Sequence, residues 1–256
     1  MKVWVTSDLH IDYRQNKQFF QQLSALDYQT DILIIAGDIS HQLTEVISLF
    51  RSLVRKFKKV LFVAGNHDLW ITPEDNIDYS WQKMQQLYHL AQQEGILTTA
   101  LTIDELYITP LQSWYDFSFG RPSSTIQRAW QDFKYCQWEE SLEELTTKLI
   151  DQNAASLRTT KKQVISFSHF LPTATLLPTQ VPAIVKALLP VMGTQLLLPQ
   201  IQQLESTMHI YGHSHLNRKV GIGNTIYINN AFGYPKEQHI SRKRLLCIYE
   251  DGQFLW

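Results

Sequence analysis

Five short blocks of Asp, Asn and His residues each follow a run of aliphatic residues. The blocks hold the following side chains: Asp8 and His10, then Asp38, then Asn66, His67 and Asp68, then His169, and finally His213 and His215. Carboxylate, amide and imidazole groups suit divalent ions such as Mn, Fe, Zn, Co and Ni. Thiolates are missing from the blocks, which argues against a closed structural zinc site. The set is too large for one ion and suits two.

The elements that must position these blocks alternate between strand and helix. The run Ile32-Leu33-Ile34-Ile35 is typical of a strand buried on both faces. From Leu43 to Phe57, the apolar residues fall on one helical stripe. This alternation predicts a parallel α/β sheet. Open α/β sheets bind ligands beyond the carboxyl ends of their strands, so we expect the five blocks to meet in space.

In this order the blocks resemble the motifs of the calcineurin-like metallophosphoesterase superfamily. The resemblance covers residues 3 to 215 and rests on these motifs: Asp8-x-His10, Gly37-Asp38, Gly65-Asn66-His67-Asp68, His169 and Gly212-His213-x-His215. It implies an α/β fold, a four-layer α/β/β/α sandwich with mixed sheets. Because the sequence has no internal repeat and no low-complexity linker, we predict a single domain over residues 1–256. An aromatic-rich helical insertion is expected at about 114–160. An apolar, Pro-rich segment is expected near the active-site cleft at 171–204.

The resemblance also implies which residues hold metal. Asp38 would bridge two divalent ions. The remaining ligands would divide into Asp8, His10 and His215 for the first ion, and Asn66, His169 and His213 for the second. We predict manganese as the metal, with Fe, Zn, Ni or Co as alternatives.

The same resemblance implies a reaction. A metal-activated hydroxide would attack phosphorus in line at the dinuclear centre. His67 would contact the scissile phosphate and stabilise or protonate the leaving oxygen, and Asp68 would orient His67 or cap the segment that follows. Protein Ser/Thr phosphatases of the superfamily carry Asp-Arg-Gly and Asn-His-Glu in their blocks. This chain has Gly37-Asp38-Ile39-Ser40 and Asn66-His67-Asp68 instead, which resembles the bacterial phosphodiesterase-type members.

Three residues outside these roles are candidates for substrate contacts: His41, Tyr115 and Arg121. His41 directly follows the second block. Tyr115 and Arg121 lie in an aromatic segment, residues 114–138, which favours either packing of the insertion or a wall that stacks on substrate. The 171–204 segment is expected to pack over the cleft, form a dimer contact or accept an acyl chain.

The charge balance narrows the class of substrate. The chain has 23 Lys and Arg against 24 Asp and Glu, a formal net charge of −1, and therefore no global attraction for a long polyanion. We predict a hydrolase that cleaves a phosphodiester or phosphomonoester in a small substrate, nucleotide-like or lipid-like. The alternatives are a nuclease of the same superfamily and, last, a non-catalytic interaction scaffold.

The ends and cysteines of the chain bear on its location. The stretch after Met1 lacks the apolar core of a signal peptide, and prolines interrupt the apolar 171–204 segment, so we predict no membrane span. Cys136 and Cys247 form neither a metal-type pair nor a disulfide framework. We expect a cytoplasmic protein, either a monomer or a homodimer.

Overall fold

The computed structural model describes residues 1–180 and 182–255, so Val181 and Trp256 lie outside the described residues. The strands are β1 Lys2–Thr6, β2 Ile32–Ala36, β3 Lys59–Val63, β4 Leu101–Ile103, β5 Leu106–Pro110, β6 Gln163–Phe167, β7 Met208–Tyr211, β8 Arg218–Ile222, β9 Thr225–Asn229, β10 Leu246–Glu250 and β11 Gln253–Phe254. The helices are α1 Arg14–Gln22, α2 Leu43–Leu53, α3 Ser80–Gln93, α4 Ser124–Ala129, α5 Asp132–Tyr135, α6 Leu142–Gln152, α7 Ala183–Ala187 and α8 Leu197–Gln203.

The described strands form two mixed sheets. The first has the order β11-β10-β1-β2-β3, in which β1, β2 and β3 run parallel and β10 is antiparallel to β1. The second has the order β4-β5-β6-β7-β9-β8, with parallel strands from β5 to β9 and antiparallel edge strands. The carboxyl ends of β1, β2 and β3 therefore share one edge, and those of β6 and β7 share another.

Alternate residues of each central strand enter different cores. In β2, Ile32, Ile34 and Ala36 join a cluster with residues of the second sheet, including Ile165 and Ile210. Such a cluster, made of aliphatic residues from both sheets, is the layer that holds the sheets together.

The other face of β2 packs against helices. Leu33 and Ile35 contact the cluster that contains Phe50 of α2 and Leu87 of α3. On the second sheet, Leu145 of α6 belongs to the same apolar cluster. This arrangement confirms the predicted four-layer α/β/β/α sandwich.

One helix is shorter than its stripe of apolar residues predicts. The stripe from Leu43 to Phe57 becomes α2, which ends at Leu53, and Phe57 is buried in the turn that follows. Within the expected insertion at 114–160, the chain forms α4, α5 and α6. Across the described residues, the helices are too short or too polar to traverse a bilayer.

Candidate dinuclear metal centre

The five sequence blocks meet where the two sheets present their carboxyl ends. Two groups of ligand atoms form there, each with its members within 4.8 Å of one another, and Asp38 belongs to both. The groups consist of Asp8, His10, Asp38 and His215, and of Asp38, His169 and His213. The structure therefore brings together the carboxylates and imidazoles that the resemblance assigned to two ions, with the shared carboxylate between them.

Asn66 completes the second group. Its side-chain oxygen lies 3.0 Å from Nε2 of His169, and that nitrogen lies 3.2 Å from Nδ1 of His213. In the first group, the Nε2 atoms of His10 and His215 lie 3.0 Å apart. Donor atoms that converge this closely around one point are what a cation requires.

The backbone at this edge is bent into an uncommon conformation. The residues with positive φ include several predicted ligands: Asp8 at 52°, His10 at 42°, Asp38 at 58°, His213 at 67° and His215 at 52°. Residues other than glycine avoid this left-handed region because the Cβ atom meets the backbone, and each such residue stores strain. The strain is retained because it aims these side chains back into the gap between the sheets.

Two motif glycines make room for the ligands. A Cβ atom at Gly65 would collide with Oδ1 of Asp38, and one at Gly37 would collide with the ring of His169. Gly37 also has a φ of 85°, which glycine adopts without strain. These blocks therefore need glycine for close approach of the loops as well as for the turn itself.

Three of the imidazoles donate a ring N–H to an oxygen acceptor on the side away from the cluster. Nδ1 of His169 lies 2.8 Å from the Ala36 carbonyl oxygen. Nε2 of His213 lies 2.9 Å from the Val191 carbonyl oxygen, and Nδ1 of His215 lies 2.6 Å from the Glu237 carboxylate. Because each acceptor takes a ring N–H, the other ring nitrogen faces the cluster, and in the neutral ring its lone pair would be available to an ion. The residues present therefore fit two divalent ions.

Burial and mutual charge shift the pKa values of the residues in the cluster. Burial, together with the charges of Asp8 and Asp68, raises the pKa of Asp38 well above its usual value. Burial and the charge of nearby imidazoles lower the pKa of His10 and of His213 well below the usual value. Neutral imidazole is the form in which His binds a metal, and a bound cation would offset the crowding that raises the pKa of Asp38 and favour its charged form.

Asp132 is a supporting residue that the sequence analysis missed. Its buried carboxylate accepts a hydrogen bond from Nδ2 of Asn66 at 2.8 Å. It also accepts from the indole N–H groups of Trp70 at 2.6 Å and Trp130 at 2.8 Å. This contact turns the oxygen of Asn66 toward the second ligand group. The one sequence signal was a carboxylate within an otherwise aromatic stretch.

Glu237 plays the corresponding part for the first ligand group and was also missed. Its Oε2 atom accepts from Nδ1 of His215 and, at 2.8 Å, from the backbone N–H of Tyr234. Burial lowers the pKa of His215, but the Asp8 charge and the hydrogen bonds to Asp8 and Glu237 outweigh it and raise that pKa to about 9. Glu237 follows none of the predicted strands, so no motif pointed to it.

The ring of His67 lies beside the two ligand groups. It stacks on Trp70 with 3.7 Å between ring centroids, and its Nε2 atom lies 3.4 Å from the Tyr234 hydroxyl. Its backbone N–H donates to Asp38 at 2.9 Å. Burial and the charge of His215 lower the pKa of His67 to about 3, so the ring is neutral at pH 7.

The predicted role of Asp68 is wrong in its detail. The carboxylate of Asp68 does not accept from the His67 ring and instead accepts four backbone N–H groups, from Gly65, Asp38, Ile39 and Ser40, at 2.8 to 3.2 Å. Most of these donors precede Asp68 by about 30 residues, so it does not cap the following segment either. Asp68 ties the loop after β2 to the loop after β3, which fixes Asp38 and His67 relative to each other.

The three candidate substrate contacts lie in different surroundings. Tyr115 is 1% exposed and packs against Trp114 and Phe170, so the predicted contact with substrate is wrong. Arg121 is exposed and does not line the cavity at the ligand groups. His41 is half-buried, and its Nδ1 atom lies 3.3 Å from Asp12, also outside that cavity lining.

A cavity of about 290 Å³ opens directly over the ligand groups. One side is polar and includes Asp38, Asn66, His67, His213 and His215. The other side is largely apolar. The 171–204 segment contributes Leu177, Val185, Leu188 and Met192, and Trp130, Tyr234 and Ile240 complete this side. Part of the 171–204 segment therefore lines this cavity. A larger cavity of about 740 Å³ lies elsewhere, beside α3, and the predicted ligands do not line it.

Comparison with known proteins agrees with this geometry. A family model described as calcineurin-like phosphoesterase matches residues 1–217. The chain is 31% identical over 127 residues to the acyl-carrier-protein phosphodiesterase PptH of Mycobacterium tuberculosis (strain ATCC 25618 / H37Rv). That match spans 46% of this chain and 38% of the relative, less than two thirds of its length.

A solved structure gives the more complete overlap. The crystal structure of the phosphopantetheinyl hydrolase PptH from Mycobacterium tuberculosis superposes with a TM-score of 0.82 at 23% identity. The superposition covers 99% of this chain and 98% of that chain. The two chains therefore share their fold from end to end.

Proposed function

The chain belongs to the calcineurin-like phosphoesterase family, and we propose that it hydrolyses the phosphodiester that joins a phosphopantetheine arm to a carrier protein. The family prediction made from the five blocks is confirmed, and with it the predicted class of enzyme, a phosphoesterase. The substrate is the finer proposal. It is suggested by the similarity to a relative whose name gives that activity.

The observation that carries the proposal is the two-sided cavity. Its polar side holds the ligand groups, where a phosphate would bind, and its apolar side is lined by Leu188, Met192 and other residues of the 171–204 segment. A phosphate with a long, weakly polar arm fits such a site better than a compact phosphomonoester does. The cavity is also too small, at about 290 Å³, to admit a folded carrier protein, so that part of the substrate would stay outside.

In this proposal the chain's own residues bind, orient and neutralise. Asp8, His10 and His215 would hold one divalent ion, Asn66, His169 and His213 would hold the other, and Asp38 would belong to both sets. Ions held there would supply positive charge for the phosphate and activate a water for attack. His67, neutral at pH 7, donates a ring N–H to the leaving oxygen.

The reaction balances with water as the second substrate. The P–O bond to the ester oxygen of the carrier breaks, and a new P–O bond to the oxygen of water forms. One proton of that water ends on the hydroxyl of the released carrier, and the free phosphopantetheine leaves as a phosphomonoester.

The test uses the purified full chain loaded with Mn²⁺ and a holo acyl carrier protein. We expect mass spectrometry to show conversion of the holo carrier to the apo form, together with release of phosphopantetheine. Asp38→Asn serves as the inactive control, and bis(p-nitrophenyl) phosphate reports general phosphodiesterase activity. Turnover of the small diester with an unchanged holo carrier would overturn the carrier-protein substrate.

Three finer predictions are part of the proposal. Manganese as the native metal is tested by elemental analysis of protein purified without added metal, and zinc or iron in its place would contradict it. The cytoplasmic location and the choice between monomer and homodimer stay predictions, tested by fractionation and by light scattering.

A further inference from the structure

The charges of this chain are balanced in sum but unevenly distributed along the sequence. Residues 152–249 contain ten Lys and Arg but only two acidic residues, Glu205 and Glu237, a formal charge of +8. The remaining residues carry −9, which gives the total of −1. This basic part builds much of the cavity wall, including Val185, Tyr234 and Ile240.

Four exposed basic residues each stand within two positions of a residue that lines the cavity. They are Arg128 beside Trp130, Lys186 beside Val185, Lys236 beside Tyr234 and Glu237, and Arg242 beside Ile240. They come from three separate segments of the chain: α4, α7 and the stretch around the 3-10 turn Pro235–Glu237. Exposed positive charge therefore stands next in sequence to cavity-lining residues on three separate segments.

These four side chains form no ion pair with a carboxylate of the described residues. Other basic residues do: Lys17 pairs with Glu45, and Arg51 pairs with Glu94. Of the two acidic residues in the basic part, Glu237 turns inward to His215, and Glu205 precedes β7, at the sheet edge opposite the ligands. The charges at the mouth are thus available to a partner.

We propose that Arg128, Lys186, Lys236 and Arg242, called here the basic rim, dock an acidic protein surface while its phosphodiester arm enters the cavity. This rests on the proposed function, since the arm is the substrate that it names. Long-range attraction between the basic rim and an acidic partner speeds encounter and sets orientation, more than it adds affinity at contact.

An acidic protein fits the basic rim better than a nucleic acid does. Nucleic-acid surfaces combine a continuous basic stripe with aromatic platforms for successive bases. Here the four charges come from three separate segments, and the cavity side that their neighbours help to form is largely apolar, with Leu177, Leu188 and Met192. The opening suits one slender arm, with its acidic carrier held outside.

The test compares Arg128→Glu/Arg242→Glu with a matched control, Arg55→Glu/Arg158→Glu. The control arginines are exposed and precede β3 and β6, at the amino ends of strands whose carboxyl ends carry Asn66 and His169. Both double variants change the net charge by the same amount. With holo acyl carrier protein as substrate, we expect KM to rise about tenfold in the rim variant and to stay within twofold in the control.

Salt gives a second measurement. Raising the salt from 50 to 500 mM should raise KM for the holo carrier about tenfold in the wild-type chain and much less in the rim variant, because screening removes an attraction that the variant already lacks. Activity on bis(p-nitrophenyl) phosphate should be unchanged in both variants, since the small diester does not reach the rim. Equal KM values for rim and control variants, or a salt-independent KM, would overturn the docking surface while leaving the proposed function standing.

If the holo carrier is not cleaved, binding still tests the rim. Fluorescence anisotropy with labelled apo acyl carrier protein should show salt-sensitive binding that the rim variant loses and the control retains. Binding of a labelled DNA oligomer by the wild-type chain, lost in the rim variant and without binding of apo carrier, would assign the rim to nucleic acid and overturn the proposal.

Discussion

The strand-end loops and the segments that fold across them hold the same site by different means. The loops after β1, β2, β3, β6 and β7 supply the donor atoms, and they aim them through left-handed residues such as Asp38 and His213. The segments that fold across these loops, called here the covering segments, supply Asp132 from α5 and Glu237 from the turn Pro235–Glu237. These carboxylates accept hydrogen bonds from Asn66 and His215 on the side away from the ligand cluster. One region provides the ligands, and the other fixes the direction in which they point.

This difference separates two kinds of substitution. Removing a donor in a loop takes away a bond to the ion itself, and the neighbouring strained backbone cannot replace it. Removing a support from a covering segment leaves every donor in place but frees one to rotate, which costs metal affinity by about 10–100-fold. Variants of the loop ligands should therefore lose the metal, and variants of Asp132 or Glu237 should bind it more weakly.

Asp38→Asn should have the largest effect, because Asp38 belongs to both ligand groups. The amide keeps the shape but loses the charge and one of the two acceptor oxygens, so we expect both ions to be lost. Turnover of bis(p-nitrophenyl) phosphate should fall by about 10³-fold or more. Elemental analysis measures the metal, with Asp151→Asn on the exposed face of α6 as the matched control. Full metal content in the Asp38 variant would show that this loop residue does not hold the ions.

His67→Ala tests whether a loop residue acts without holding metal. His67 stands outside both ligand groups but beside them, so metal content should stay near that of the wild type. Loss of one positioned hydrogen-bond donor should lower turnover by about 10²–10³-fold. If metal is lost in proportion to activity, His67 belongs with the ligands and its assigned role is wrong.

Asp132→Asn probes the covering segment itself. An asparagine offers one acceptor oxygen where the carboxylate now takes three N–H groups, so Asn66 loses its fixed orientation. We expect metal at the second group to bind about 10–100-fold more weakly, measured by titration, with activity restored by excess metal.

Asp116→Asn is the matched control in the same insertion, since its carboxylate bonds Ser118 and Thr194 rather than a ligand. Unchanged metal affinity in the Asp132 variant would show that the loops alone orient Asn66. Equal weakening in both variants would point to general loosening of the insertion.

The same two regions differ in how well the sequence predicts them. Each ligand stands directly after an aliphatic strand, so local spacing predicts both the strand and the donor, as with Phe167 and His169 or Ala36 and Asp38. The layer order does not follow from this alternation. Buried runs such as Ile32–Ala36 need cover on both faces, which two helix layers or a helix layer and a second sheet can supply. The four-layer order came from the family resemblance.

The roles of Asp132 and Glu237 could not be predicted from the sequence, because the residues that they contact are far away along the chain. Asp132 meets Asn66 across 66 positions, and nothing near Asp132 marks that contact. Tyr115 shows the converse error. An aromatic residue beside a candidate site suggests a stacking surface, but only packing decides its burial, and here Trp114 and Phe170 enclose it.

Arg121→Ala should have the smallest effect. It tests whether this positive charge contacts the substrate phosphate or only lies near the site. The side chain of Arg121 is exposed and outside the cavity lining, so it does not reach the phosphate of a small diester. We expect KM and kcat for bis(p-nitrophenyl) phosphate to stay within twofold of the wild type, as for an exposed residue that forms no ion pair within residues 1–180 and 182–255. A KM raised fivefold or more would mean that Arg121 does contact the phosphate. The covering segments would then bind substrate as well as orient ligands, and the division between the two regions would fail at that point.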